Sequence, residues 1–189
     1  DQLVASGGSL VGSTFMDSGN DTVLLAGSVD ISRAPRFDGG AGDDALTLSG
    51  LSVRGFTGAT DDLAKGNNLT GWETINVVDG GTLKLTGDLF EAGPAGVRQL
   101  NIDSGATLDL KGGSPGVFTI NGSLDNAGTV TFQDGAGDDQ ATLTGNYLGN
   151  TGSVAIGNSL LNNNGLTLVG GPSITSANAA TFTVGSGPS

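Results

Sequence analysis

Short runs of alternating apolar and polar residues recur along the chain, and glycine, asparagine and aspartate separate them. Runs such as 74–78 (TINVV) and 82–85 (TLKL) place aliphatic side chains on one face of a strand and polar side chains on the other. The separating residues suit tight turns with positive φ. The pattern predicts many short strands, of which the other clear ones are 100–102, 107–110, 117–120, 129–132, 141–144, 154–156, 166–168 and 181–184.

Equivalent aliphatic positions return at a nearly constant interval. Ile75 and Leu100 are separated by about 25 residues, a period typical of repeat proteins, and so are Leu83 and Leu108. The same interval separates Phe118 from Leu143 and Leu143 from Leu168, and the step from Val130 to Val154 is slightly shorter. Self-similarity at such a period predicts a repeat architecture in which each coil of chain stacks on the one before it.

The predicted fold class is therefore all-β, a right-handed parallel β-helix (a β-solenoid). A β-sandwich is the alternative, because sandwiches also use short strands at intervals of about 8 to 12 residues. Hairpin signals are few, since the only Asn-Gly pairs are at 121–122 and 164–165. We expect residues 1–189 to form a single β-helix segment.

One region, residues 54–72, breaks the strand pattern and predicts an excursion from the coil. Residues 60–65 (TDDLAK) have the pattern of one helical turn, with a threonine cap and acidic residues in the first turn. Loops that leave a rigid scaffold are common sites of binding. The candidate interaction residues are Asp61, Asp62, Lys65 and Trp72, and Trp72 also suits a packed anchor where the excursion rejoins the coil.

Composition restricts the possible functions of the chain more than it restricts the possible folds. The formal net charge is -12 with only 7 Lys and Arg residues, which argues against nucleic acid and anionic membranes as partners. The chain has no Cys and no His, so it has no disulfides, none of the usual zinc sites and no Ser-His-Asp or Cys-His catalysis. No stretch approaches about 18 consecutive apolar residues, so we expect no membrane insertion of this segment.

The sharpest local motif is the glycine-rich nonapeptide at 39–47 (GGAGDDALT), which fits the calcium-binding pattern G-G-x-G-x-D-x-U-x. Residues 134–142 (DGAGDDQAT) depart from it at the first position, and 17–23 (DSGNDTV) is a degenerate third copy. The two closer copies lie far apart in the sequence, so we expect neither to have a tandem neighbour that completes a calcium shell.

A plain glycine-rich turn leading into a strand is therefore the preferred interpretation of each copy, with no cofactor, and calcium binding is the alternative. Calcium is the only candidate cofactor, and its candidate ligands are Asp38, Asp43, Asp44, Asp134, Asp138 and Asp139.

Adjacent carboxylates raise the question of glycoside hydrolysis, which needs two acids facing one cleft. Such pairs occur at Asp43/Asp44, Asp61/Asp62 and Asp138/Asp139. Neighbours in a strand point to opposite faces, so a pair of this kind does not itself make a catalytic dyad. Trp72 and Tyr147 are the only Trp and Tyr residues, which leaves no aromatic cluster to hold a sugar. We therefore expect a protein without catalysis and assign no catalytic residue.

Several phrases of the sequence resemble the passenger domains of type V autotransporters, of the large adhesin-like class. They are 37–50 (FDGGAGDDALTLSG), 69–77 (LTGWETINV), 81–87 (GTLKLTG) and 141–147 (ATLTGNY). The resemblance implies a β-helix displayed on the surface of a Gram-negative cell after export through the periplasm. It also implies a role in adhesion, self-aggregation or biofilm formation.

Together these observations predict a secreted, non-catalytic surface segment that acts in adhesion, in self-association or as a structural stalk. The expected partner is a protein or glycan of a host or neighbouring cell, or a second copy of the chain. Two other functions remain open: a calcium-binding β-roll module of a repeats-in-toxin protein, and a polysaccharide-active β-helix enzyme.

Overall fold

The computed structural model describes residues 1–51, 69–85, 89–90, 98–110, 116–120, 122–132, 139–143, 147–150, 153–156, 165–168, 173–176 and 181–184. Within these ranges all regular structure is β-strand and no helix is present, so none of the described residues belongs to a membrane-spanning helix. The strands are β1 (Gln2–Ala5), β2 (Ser9–Val11), β3 (Thr14–Phe15), β4 (Thr22–Ala26), β5 (Asp30–Arg33), β6 (Phe37–Asp38), β7 (Ala45–Ser49), β8 (Leu69–Thr70), β9 (Thr74–Val78), β10 (Thr82–Leu85), β11 (Gln99–Ile102), β12 (Thr107–Leu110), β13 (Gly116–Ile120), β14 (Ser123–Asn126), β15 (Thr129–Phe132), β16 (Asp139–Leu143), β17 (Tyr147–Asn150), β18 (Ser153–Ile156), β19 (Gly165–Leu168), β20 (Ser173–Ser176) and β21 (Thr181–Val184).

The pairing of these strands is that of a parallel β-helix. The largest sheet has the order β1-β4-β7-β9-β11-β14-β17-β20, so each successive coil adds one strand to its edge. Further sheets stack in the same way, in the orders β10-β12-β15-β18-β21, β13-β16-β19, β3-β6-β8 and β2-β5. Every pairing between described strands is parallel. The predicted β-helix is confirmed, and the alternative of a β-sandwich is wrong because its sheets would be antiparallel.

The register of the strands tests the predicted spacings. Four of the five predicted partners lie opposite each other: Ile75 and Leu100, Leu83 and Leu108, Leu143 and Leu168, and Val130 and Val154. The fifth is wrong, because Phe118 lies opposite Ala141 and Leu143 lies opposite Ile120. Residues two apart share a face of a strand, so an error of two residues leaves the apolar pattern unchanged and cannot be detected from it.

Inward-facing aliphatic side chains stack into columns through the core. Leu46, Ile75, Leu100 and Leu124 are register partners in successive strands, and none is more than 2% exposed. Fully burying one such side chain stabilises a fold by about 1.5–3 kcal/mol. Each coil therefore extends one apolar column instead of building a separate core.

A second column, Leu48, Val77 and Ile102, ends in a polar residue. Its next member in register is Asn126, which is fully buried. The Oδ1 atom of Asn126 accepts a hydrogen bond from the backbone N–H of Gly128 at 3.1 Å. That bond satisfies the Oδ1 atom of the buried amide within the turn that follows β14, and such pairing is how a polar group is tolerated in a buried position.

Most of the predicted excursion at 54–72 lies outside the described residues, including the predicted helical turn and the residues Asp61, Asp62 and Lys65. The residues on either side of the undescribed part are Leu51 and Leu69, which are 4% and 5% exposed. Both points at which the chain leaves and re-enters the described structure are therefore packed in the core.

Candidate functional site

The first glycine-rich nonapeptide stacks directly on the degenerate copy in the preceding coil. Because β4 pairs with β7, the turn at residues 17–21 lies against the turn at 40–44. The N–H of Gly19 donates to the carbonyl of Ala41, and the N–H of Ala41 donates to the carbonyl of Asp17, both at 2.9 Å. The first copy therefore has a stacked neighbour in the preceding coil, although that neighbour is only the degenerate copy. We call 17–21 the lower turn and 40–44 the upper turn.

The glycines of the upper turn have a steric cause. A Cβ atom on Gly40 would overlap the carbonyl oxygen of Asp17, and one on Gly42 would overlap the carbonyl oxygen of Gly19. Gly40 also has a φ of 98°, a conformation that other residues rarely adopt. Close stacking of the two turns therefore requires these glycines, whether or not an ion is bound.

Three acidic residues form a line across successive coils, which we call the acidic ladder: Asp21, Asp44 and Glu73. Each directly precedes a strand of the eight-stranded sheet, namely β4, β7 and β9. The N–H of Asp21 donates to Oδ1 of Asp44 at 2.7 Å, and the N–H of Asp44 donates to Oε2 of Glu73 at 2.9 Å. The N-terminal ammonium of Asp1 continues the line by pairing with Oδ1 of Asp21. Each carboxylate thus satisfies a backbone donor of the preceding coil.

Two members of the acidic ladder are fully buried and incompletely bonded. Asp21 is 1% exposed and Asp44 is 0% exposed, and the Oδ2 atom of each has no hydrogen-bond partner. A buried carboxylate oxygen without a partner is costly, because it has lost its water without gaining another donor.

Burial raises the pKa of Asp44 above its ordinary value. The negative charges of Asp21 and Asp43 raise the pKa further, while the hydrogen bond from the Asp21 N–H and the ammonium of Asp1 lower it. A raised pKa means that the folded chain holds this proton more tightly than the unfolded chain does. The contribution of Asp44 to stability therefore increases as the pH falls through its folded pKa and decreases as the pH rises.

The three candidate calcium ligands near the upper turn lie in three different environments. Asp38 Oδ2 forms an ion pair with Nη2 of Arg36 at 2.7 Å, and its Oδ1 accepts the N–H of Gly40 at 3.2 Å. Asp43 is exposed, whereas Asp44 is buried in the acidic ladder. Among the described residues no group of three or more Asp, Glu, His or Cys side chains is arranged to hold a metal ion.

The second copy of the nonapeptide belongs to another part of the β-helix. Asp134 and Asp138 lie outside the described residues, and Asp139 is the first residue of β16. β16 is the middle strand of a three-stranded sheet, whereas β7, which begins within the first copy, belongs to the eight-stranded sheet. The two copies are therefore on different sheets and do not form equivalent turns of one stack.

The outer face of the eight-stranded sheet carries a hydrogen-bonded row of side chains, Thr47, Asn76 and Asn101, which we call the amide row. Asn101 Nδ2 donates to Asn76 Oδ1 at 2.8 Å, and Asn76 Nδ2 donates to Thr47 Oγ1 at 3.4 Å. Gln99 Nε2 donates to Asn101 Oδ1 at 2.8 Å. The row fixes the orientation of each amide along the stack of strands.

A groove of about 180 Å³ lies beside the amide row. Two exposed carboxylates, Asp103 and Asp125, stand next to it. Amide donors and acceptors beside carboxylate acceptors can hydrogen-bond hydroxyl groups or a basic group. The groove is lined by Asn76, Val78, Asn101, Ile102, Asp103, Asp125 and Ala127.

Trp72 is an internal anchor, and its ring is not accessible to a partner. It is 1% exposed, and its Nε1 donates to the backbone carbonyl of Phe37 at 3.0 Å. Phe37 is itself fully buried in the preceding coil. The indole therefore ties the two coils together through one hydrogen bond and its apolar surface.

Sequence reasoning noted Asp21 only within the degenerate copy and did not make it a candidate ligand, and it missed Glu73 of the acidic ladder and the whole of the amide row. A signal for Asp21 exists, because Asn20-Asp21 precedes Asp43-Asp44 by close to the length of one coil. No such signal exists for Glu73, because the stretch of chain between Asp44 and Glu73 is longer than the one between Asp21 and Asp44.

Comparisons of the chain with protein-family models, with curated proteins and with solved structures found no match.

Proposed function

We propose that this chain is a non-catalytic segment of a secreted bacterial surface protein, and that it acts in adhesion while also extending the protein as a stalk. The observation that carries the proposal is the groove beside the amide row, on the outer face of a sheet that runs through successive coils. The resemblance of the sequence to autotransporter passengers supports the same role and a position outside the cell.

The stacked sheet suits a stalk for a geometric reason. Adjacent strands in a sheet lie about 4.8 Å apart, so eight strands in register extend the sheet over roughly 34 Å. The continuous apolar columns connect every coil to its neighbours, and repeat proteins of this kind gain length without needing a larger core.

The groove suits a partner that is rich in hydroxyl groups or carries positive charge. Asn76 and Asn101 supply amide groups in fixed orientation, and Asp103 and Asp125 supply carboxylates at the rim. A net charge of -12 favours association with basic or neutral surfaces and opposes direct contact between two copies at low ionic strength. We therefore name a glycan or a basic protein surface of another cell as the partner, bound through many weak contacts at once.

A complete repeats-in-toxin β-roll fits the chain less well. Such a module repeats its nonapeptide through tandem turns. Here the lower and upper turns stack, but Gly71-Trp72-Glu73 leads into the next strand of the sheet and does not carry the motif.

The proposal is tested with beads that carry the 189-residue chain. Parent beads and beads carrying the double variant Asn101→Ala/Asp125→Ala are added to glycan surfaces, to basic protein surfaces and to cells. Attachment by the parent should exceed that of the double variant at least about tenfold, because multivalent display multiplies the loss of each weak contact.

The matched control is Gln2→Ala/Thr107→Ala, which also shortens two polar side chains but lies away from the groove. It should attach as the parent does. Equal attachment by all three kinds of bead would contradict the groove as the binding site. Turnover of a glycan by the purified chain would contradict the proposed absence of catalysis.

A further inference from the structure

The lower and upper turns come close enough to share a ligand. Their backbones exchange two hydrogen bonds, Gly19 N to Ala41 O and Ala41 N to Asp17 O, each 2.9 Å long. Gly40 and Gly42 have no side chain to keep the turns apart, and their Cα atoms lie against main-chain carbonyl groups of the lower turn. The carbonyl oxygens of Asp17 and Gly19 therefore lie at the contact between the two turns.

Asp21 and Asp44 bring two carboxylates to the strand-side end of these turns. The 2.7 Å bond from the Asp21 N–H to Asp44 Oδ1 holds the side chain of Asp44 against the backbone of Asp21. The Oδ2 atoms of both residues are buried and have no hydrogen-bond partner. Two buried carboxylate oxygens in adjacent coils therefore have no hydrogen-bond donor.

The positive charges near Asp21 and Asp44 do not neutralise the two carboxylates. Among the ion pairs of the described residues, Asp21 has the ammonium of Asp1 on its Oδ1 atom, and Asp44 has no basic partner. Arg36, on the same coil as Asp44, is already paired with Asp38. The other acidic neighbours of Asp44 are Asp43, which precedes it in the chain, and Glu73 of the acidic ladder. Buried charges of this kind normally have a counter-charge or bind a metal.

We propose that a calcium ion binds between the lower and upper turns, with Asp21 Oδ2 and Asp44 Oδ2 as its two carboxylate ligands. Main-chain oxygens of the turns and water complete the shell, since calcium takes six to eight oxygen ligands at flexible geometry. Magnesium demands a stricter octahedron and releases its water reluctantly, so it suits a site made of flexible turns less well.

The number of charged ligands sets the expected affinity. With two carboxylates and no third acidic ligand among the described residues, the Kd should be on the order of 10⁻⁴–10⁻³ M, the range of weak extracellular calcium modules. The ion would join the first two coils to each other. This proposal does not depend on the adhesive role of the groove.

The test compares thermal unfolding of the intact chain in chelator and in calcium. The parent Tm should rise by about 3–11 °C at about 10 mM calcium, and an equal concentration of magnesium should raise it by less. Asp44→Asn keeps an oxygen for the Asp21 N–H but removes a buried charge. In chelator this variant should melt at or above the parent Tm, and calcium should not raise it further.

Calcium should not raise the Tm of Asp21→Asn either, although this variant also loses the ion pair with the ammonium of Asp1 and should melt lower in chelator. Asp43→Asn is the matched control. Asp43 is adjacent in sequence but exposed, so its variant should keep the full response to calcium. A parent Tm that calcium leaves unchanged would overturn the proposal. So would an undiminished calcium response in both Asp21→Asn and Asp44→Asn, because the ion would then be bound elsewhere on the acidic surface.

A second measurement does not require the variants to fold. Calcium is titrated into the parent while the backbone amide resonances are recorded. Saturable shifts confined to the lower and upper turns, at one ion per chain, support the site. Shifts that spread over the acidic surface without saturating count against it. Neither result changes the attachment measured with the beads, so failure of the calcium site and failure of the adhesive function are distinguishable.

Discussion

Gly40 and Gly80 are both glycines with positive φ, but they have different surroundings. A side chain on Gly40 would overlap main-chain atoms of Asp17, whereas no atom lies within 4 Å of a Cβ placed on Gly80. Their φ angles are 98° and 75°. Glycine is therefore needed at Gly80 only for the local backbone conformation. At Gly40 it is needed both for the backbone conformation and for the close stacking of the coils.

This difference predicts unequal effects of alanine at the two positions. Both Gly40→Ala and Gly80→Ala put a side chain in a left-handed conformation, which costs about 1–2 kcal/mol. Gly40→Ala must also push the lower and upper turns apart, and overpacking of this kind costs about 1–3 kcal/mol more. Urea unfolding followed by circular dichroism measures both free energies. Equal destabilisation would show that the turns do not pack as described.

The residues of the acidic ladder could be predicted only in part. Asp44 is the Asp of the nonapeptide and was a candidate from the sequence. Asp38 and Asp43 lie close to Asp44 in the sequence, but Asp38 forms an ion pair with Arg36 and Asp43 is exposed to solvent. Sequence proximity does not decide which carboxylate is buried, because burial depends on which turn of another coil lies against it.

The strands are the elements that the sequence predicts best. The bounds of β9, β10, β12, β15 and β21 agree with the predicted runs. The intervals between register partners in the eight-stranded sheet nevertheless vary. Gln2 of β1 lies opposite Thr22 of β4, whereas the much longer step from β7 to β9 places Ala45 opposite Thr74. Turns absorb these differences, so a constant period locates strands but does not align every pair.

Within one strand, inward and outward substitutions should have very different effects. Leu100 is 0% exposed in the middle of an aliphatic column, so Leu100→Ala should lower the free energy of unfolding by about 2–5 kcal/mol. Gln99 is the exposed neighbour in β11, and Gln99→Ala should lower it by at most about 0.5 kcal/mol. Chemical denaturation of both variants measures the difference. Similar values would contradict the alternation of faces in β11.

For the molecule as a whole, the number of neighbouring coils decides how strongly a strand is held. β9 and β11 each pair with a strand on both sides, whereas β1 pairs only with β4 among the described strands. The outward side chain of Val4 in β1 is 56% exposed. Stability in a stack of this kind is close to a sum of contributions from neighbouring coils, so it should not be uniform along the chain.

Hydrogen exchange should reveal this gradient. The backbone amides of β9 and β11 should exchange more slowly than those of β1, because opening a central coil breaks contacts on two sides. Exchange of the intact chain, followed by mass spectrometry of its peptides, measures the rates. A uniform rate across the three strands would indicate a single cooperative unit and contradict additive stacking.

Local patterns in the sequence determined the strands and, through their spacing, the parallel β-helix. Alternation of apolar and polar residues is a property of a few consecutive residues, and it survives small errors in register. Only the tertiary structure decided that the lower turn lies on the upper turn, that Asp21 and Asp44 are buried side by side, and that Asn76 and Asn101 form a row. Those contacts depend on the number of residues in each coil. That number varies along the chain, so a constant period does not give it and only the stacked structure shows it.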